Sequence, residues 1–153
     1  MIYRTRKFIW QGILLHHTAD PDDYGLDFDN ELDFHTRIKL WKDLGYNFIN
    51  EEVEGHSINI VGRPLTMPGA HCLKLNAKYI GFAFEGNFSK ISGPSDRRIL
   101  DAVRRVIIPL MIYYDLPVEK IEPHRKYYKT ECPGKFFRWD KLIGEIKAGV
   151  NGL

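Results

Sequence analysis

Cysteine is scarce in this chain: there are two in 153 residues, Cys72 and Cys132. Two thiols exclude the disulfide framework of a small secreted scaffold and leave either one bridge, or one ligand and one buried thiol. Long apolar runs are missing as well. The stretch "VIIPLMIYY" is too short to cross a bilayer and sits inside a helical pattern, so no membrane insertion is expected. The first residues, "MIYRTRKFIWQG", carry charge but no apolar run long enough for a secretory signal. Cytoplasmic synthesis and initial retention there are the expectation. Neither sign of charge dominates: a formal net charge of +2 is too mild to argue for nucleic acid, and none is expected as a partner. Repeats, low-complexity segments and Pro/Gly/Ser-rich linkers are also missing. A single domain over residues 1–153, acting as a monomer, is the simplest organisation for this length.

What is present reads as alternating strands and helices. "GILLHH" is a short buried strand, an apolar run ending in polar residues. "DNELDFHTRIKLWKDLG" has Phe34, Ile38 and Trp41 at helical spacing and Gly45 just past the end, which predicts one helix with those three facing inward. "YNFINEEV" and "SINIVGRP" predict two strands around the turn "EGH", and "HCLKLNA" predicts a loop. "YIGFAFEG" is an aromatic-rich strand closed by glycine. In "PSDRRILDAVRRVIIPLMIYYDLP", Ser95 caps a helix that buries Ile99, Val103, Val106, Leu110 and Tyr114, with a kink at Pro109. "KIEPH" is a short strand or extended segment, and "FFRWDKLIGEIKAG" is a closing helix. The fold class is therefore α/β, a central mixed β-sheet flanked by helices. Acid clusters such as "DPDDYGLDFDNELD" and "NEEVE" read as solvated faces.

Packing needs none of the histidine, threonine and cysteine in "HRKYYKTECPG" near the end of the chain. A metal reading would use His124 and Cys132 as ligands, with Thr130 facing whatever the metal binds. A catalytic zinc typically keeps three protein ligands and leaves a fourth position open, so one more is needed. His16 or His17, at the end of the first strand, can supply it. Neighbouring strand residues point to opposite faces, so one of the two reaches a shared site. Taken singly, each residue also has an ordinary reading, as a hydrogen-bonded histidine or a small buried thiol.

Five short segments occur in one order: "ILLHHTAD", "LWKDLGYNFI", "PGAH", "IGFAFEGNFS" and "H…TECPG". Together, from about residue 12 to about residue 140, they resemble the zinc-dependent N-acetylmuramoyl-L-alanine amidases of the type-2 amidase family. That family includes amidase-type phage lysozymes and peptidoglycan recognition proteins. The resemblance implies one Zn2+ per chain held by His16, His124 and Cys132, with His17 on the opposite face. It implies Tyr46 and Thr130 as catalytic groups and His71 and Asn76 as substrate-binding residues. Peptidoglycan is the implied partner, and the implied reaction is hydrolysis of the bond between N-acetylmuramic acid and L-alanine. Without a signal or a wall-binding domain, such an enzyme is expected to be a phage or prophage endolysin, acting on the wall after release by a lysis factor.

Departures from the family pattern are visible. Asn47 stands where many relatives carry histidine after the tyrosine, so the resemblance leaves that part of the cleft wall unassigned. Ala83 stands where a cytoplasmic branch that recycles wall fragments carries a glutamate base, and Glu85 reads as a structural carboxylate. Cys72 reads as a bystander thiol, since a bridge to Cys132 would consume the ligand. Two alternatives remain: a non-catalytic peptidoglycan-binding module, and the recycling amidase. A glycoside hydrolase would need a pair of opposed carboxylates, which the sequence does not bring together.

Overall fold

The structure, a computed structural model, describes residues 9–19 and 28–152. Most of the opening charged stretch and residues 20–27 of the acidic cluster lie outside the described residues. Five strands form one mixed sheet in the order β3-β2-β4-β1-β5. They are β1 (Gly12–His17), β2 (Phe48–Val53), β3 (His56–Val61), β4 (Tyr79–Phe84) and β5 (Ile121–Pro123). β1 runs parallel to both β4 and β5, β2 runs parallel to β4, and β3 is the antiparallel edge. All six residues of β1 and all six of β4 are buried, as expected for central parallel strands covered on both faces.

Side-chain alternation gives the sheet two different faces. Ile13 and Leu15 of β1, with Ile80, Phe82 and Phe84 of β4, join the main core against α2 (Asp96–Ala102), α3 (Ile108–Tyr114) and α4 (Trp139–Asn151). Leu14 packs on the other face with Cys72 and Tyr79. Ala83 joins Leu44 and Ile49 there, under Phe28 and Leu32 of α1 (Phe28–Asp33). The central mixed sheet with flanking helices is thus as the sequence implied.

Two helices differ in detail from the sequence reading. The segment expected to run to Gly45 leaves α1 as a wide π turn, Phe34–Ile38, and Leu40 then takes φ 55°. Its inward face is also not the one expected. Phe34, Ile38 and Trp41 are exposed, whereas Glu31 and His35 are buried. A competing stripe of Phe28, Leu32 and His35, also at helical spacing, wins because it lies over Leu44 and Ile49. The Glu31–His35 pair, 3.3 Å apart at i,i+4, makes that polar stripe affordable.

The second helix is capped as expected, the Arg98 N–H donating to Ser95 Oγ at 3.3 Å. It buries Ile99, Val103, Val106 and Leu110. Just before Pro109, hydrogen bonding widens to a π turn over Val103–Ile107, with the Ile108 N–H reaching Val103 O. The ring at position 109 supplies no N–H, so the break in the regular ladder falls beside it.

Candidate metal centre

Parallel strands end at the same edge of a sheet, and ligand sites in open α/β sheets form outside those carboxyl ends. Leu15 pairs with Pro123 across β1 and β5, so the next residues stand side by side, His16 still within β1 and His124 just past the end of β5. Their ring centroids are 4.4 Å apart. After His124 the chain makes a short 3₁₀ turn and returns, and the Arg125 N–H donates to Cys132 O at 2.9 Å. That bond closes the loop and carries Cys132 back to β1. Gly134, at φ +105°, completes the return; a Cβ there would lie 2.4 Å from the Phe88 carbonyl carbon.

The result is a cluster of His16, His124 and Cys132 with one ligand atom each, all within 4.8 Å of one another. His16 is 1% exposed, Cys132 is buried and His124 is half-buried. Cys132 Sγ lies 3.6 Å from His16 Nδ1. Zinc bonds of about 2.0–2.3 Å at a tetrahedral angle put nitrogen and sulfur ligands roughly 3.5 Å apart, so the spacing fits that ion. Two imidazoles and one thiol are also a donor set that zinc accepts.

Electrostatics agree with ligands that wait in neutral form. Burial holds the His16 pKa well below its ordinary value, helped by the neighbouring histidines, and burial lowers that of His124. Burial pushes the Cys132 thiol up to about 12, opposed by the His17 main-chain N–H and by Arg125. That N–H donates to Cys132 Sγ at 3.4 Å, so a donor is already in place for a thiolate. The His17 ring turns to the opposite face, where Nδ1 accepts the Phe88 N–H at 3.1 Å.

The other sequence-derived residues surround the cluster. The Tyr46 ring lies 5.2 Å from that of His16. Thr130 Oγ1 accepts the Cys132 N–H at 3.2 Å. His71 contacts His16 directly, Nδ1 to Nε2 at 3.0 Å, and its Nε2 lies 3.1 Å from Tyr79 O. Asn76 Oδ1 accepts the N–H groups of His71 and Cys72, each at 2.8 Å. Cys72 and Cys132 are both free thiols.

Asn47, where many relatives carry histidine, has a structural task here. It is fully buried and stitches strands together, Oδ1 accepting the Gly81 N–H at 2.9 Å and Nδ2 donating to Arg63 O at 3.2 Å. Ala83 pairs with His16 in the sheet and is buried, so this position next to the cluster offers no carboxylate. Glu85 is buried near Arg98, which donates to the Glu85 main-chain oxygen at 3.0 Å; burial lowers the pKa of that guanidinium, and the nearby Glu85 carboxylate opposes the shift.

Sequence reasoning missed three supports. His35 stacks on Trp41 at 4.6 Å, accepts the Gly45 N–H at 3.4 Å and faces Tyr46 at 5.7 Å, holding the turn that presents the tyrosine. Arg63 ties that turn to the following loop, donating to Leu44 O and, at 3.1 Å, to Pro68 O. Tyr128 stacks on His124 at 5.7 Å. The i,i+4 spacing of Glu31 and His35 was a visible sign of the first; the other two had none.

Comparison with known proteins follows the same lines. The family model for N-acetylmuramoyl-L-alanine amidase matches residues 5–135. Peptidoglycan-recognition protein LB of Drosophila melanogaster is 30% identical over 143 residues, covering 89% of this chain and 57% of that protein. A mutant of it was solved in complex with tracheal cytotoxin, and that structure has a TM-score of 0.67 at 26% identity, covering 86% of this chain and 81% of the other. The N-acetylmuramoyl-L-alanine amidase of Mus musculus is 30% identical over 131 residues, 80% of this chain but 24% of that protein. The chain therefore spans a quarter to just over half the length of these two curated relatives. Among solved structures, the N-acetylmuramoyl-L-alanine amidase LysC from Clostridium intestinale URNW has a TM-score of 0.71 at 28% identity, covering 95% of this chain and 87% of that one.

Proposed function

The chain belongs to the N-acetylmuramoyl-L-alanine amidase family, and from that premise we propose that it is a zinc-dependent amidase acting on peptidoglycan. The bond cut is the amide between N-acetylmuramic acid and L-alanine. The observation that carries this reading is the convergence of His16, His124 and Cys132 within 4.8 Å. A groove that only bound peptidoglycan would have no use for a buried thiol facing two neutral imidazoles.

Zinc, when bound by two histidines and one thiolate, supplies Lewis acidity for an amide carbonyl and lowers the pKa of water towards about 7. The chain's own residues do the rest. The His17 N–H supports negative charge on Cys132 Sγ. Thr130 has spent an acceptor position on the Cys132 N–H, so its hydroxyl hydrogen is available to donate to a developing oxyanion. Tyr46, half-buried beside His16, carries a second donor on a rigid ring, suited to the same oxyanion or to orienting water. The loop of His71 and Asn76 lies against the cluster through the His71–His16 contact and would face the substrate.

The proposal includes the setting: an endolysin that reaches the wall after a separate lysis factor opens the membrane. The recycling variant is disfavoured by Ala83, which puts a methyl group beside His16 where that branch carries its glutamate. Digestion of purified peptidoglycan tests the chemistry. New α-amino groups on L-alanine with no rise in reducing ends are expected. New reducing ends alone would point to a glycosidase, and tight binding without cleavage would replace the enzyme with a binding module. For the setting, expression inside a bacterial host should lyse cells only when a membrane-permeabilising protein is co-expressed.

A further inference from the structure

His71 has both ring nitrogens committed inside the protein. Nε2 faces Tyr79 O at 3.1 Å, and a carbonyl oxygen can only accept, so Nε2 carries the hydrogen. In the neutral ring that one hydrogen leaves Nδ1 as a bare lone pair. The atom 3.0 Å from Nδ1 is His16 Nε2, which must then supply the hydrogen of that contact. A neutral His16 protonated on Nε2 has its lone pair on Nδ1. Nδ1 is the atom that faces Cys132 Sγ at 3.6 Å. Carbonyl, imidazole and imidazole thus form one directed chain that ends at the cluster.

The protein holds the His71 ring in a slot made for it. A Cβ on Gly69 would lie 2.3 Å from His71 Cδ2, and a Cβ on Gly81 would lie 2.4 Å from the same atom. Any other residue at either position drives the ring out. The main-chain N–H groups of His71 and Cys72 are pinned by Asn76 Oδ1, and the Ala70 N–H donates to Gly45 O at 2.8 Å. Asn76 therefore acts one step behind His71, by fixing the turn that carries it.

We infer that His71 is a positioning residue for the metal ligand: it fixes His16 as the Nε2–H tautomer, so that Nδ1 is the atom presented to zinc. This rests on the zinc reading above. It assigns His71 a task that exists before any substrate arrives, and its ring nitrogens are already occupied by that task. An oriented second partner for a ligating histidine is typically worth about 10–100-fold in metal affinity.

Two measurements test it without using activity. In zinc-loaded wild-type protein, long-range proton–nitrogen correlation of the imidazoles should show His16 protonated on Nε2 and metal-bound through Nδ1, with His71 protonated on Nε2. Coordination of His16 through Nε2, or a hydrogen on His71 Nδ1, overturns the inference. Separately, zinc affinity is read by chelator competition with no substrate present. His71→Ala should bind zinc about 10–100-fold more weakly than wild type. His71→Asn, whose Oδ1 can stand where Nδ1 stood, should recover part of that loss. Equal affinity in wild type and His71→Ala, with only KM raised, overturns the positioning role and leaves the zinc reading intact. If the alanine variant does not fold, the wild-type spectrum still decides. Wild-type protein that binds no zinc removes the reading on which the inference stands.

Discussion

Cys132 illustrates how a side chain's task follows from its surroundings. In a buried site its thiol keeps its proton, pushed up to about 12, while His16 stays neutral. Ligation by sulfur needs the thiolate, so zinc loading should release about one proton per chain near neutral pH. The sign follows: apparent zinc affinity rises with pH while the thiol holds its proton. Calorimetry in buffers of different ionisation heat measures the count, and no release would remove Cys132 from the ligand set. Alanine at His16, His124 or Cys132 should abolish stoichiometric zinc. His17→Ala should retain it, since that ring faces Phe88; leaving the buried Phe88 N–H unpaired should cost about 1–3 kcal/mol in thermal or denaturant unfolding. Tyr46→Phe and Thr130→Ala should keep zinc yet slow turnover, roughly a hundred- to a thousandfold for a lost oxyanion donor. Unchanged turnover in both would reduce them to packing.

Among the elements, α1 is where pattern and structure part, and it offers its own test. If the Phe28–Leu32–His35 stripe is the packed one, Ile38→Lys should change stability by no more than about 0.5 kcal/mol, because Ile38 is 68% exposed. Leu32→Ala should cost about 2 kcal/mol. The reverse ranking in a denaturant titration would restore the face that the spacing of Phe34, Ile38 and Trp41 suggested. That spacing misled because two stripes of helical period overlap in one segment, and periodicity does not say which one meets a partner. The buried strands were legible for the opposite reason. β1 and β4 are apolar on both faces, so burial did not depend on choosing one. The longer helix was legible down to its Ser95 cap, since a hydroxyl before an acidic first turn has a local cause. For the site, strand alternation separated His16 from His17, but not which of them faces the cluster. That choice depends on where β5 and the returning loop lie. The His71–His16 contact, between residues 55 apart, has no local cause at all.

At the scale of the whole molecule, the question is what metal does for the fold. In small zinc domains the ion replaces a core, and its removal unfolds the chain. Here the main core runs from Trp10 to Ile146 and packs on the sheet face opposite to Leu14 and His16. The proposed ligands come instead from the sheet's carboxyl edge and from the loop that Arg125 and Cys132 close. Removing metal should therefore disarm the protein without unfolding it. Chelation should leave the far-ultraviolet circular dichroism unchanged and abolish amidase activity, and added zinc should restore it. Zinc that binds only the folded chain still stabilises it by mass action, about 2.7 kcal/mol at free metal a hundred times Kd. Tm should accordingly fall on chelation and depend on zinc concentration. Hydrogen exchange should place the loosening in residues 124–134 and at the end of β1, with the amides of β4 equally protected in both states. Loss of protection across β4 would mean that the ion holds the sheet together, and that the core on its other face does not suffice.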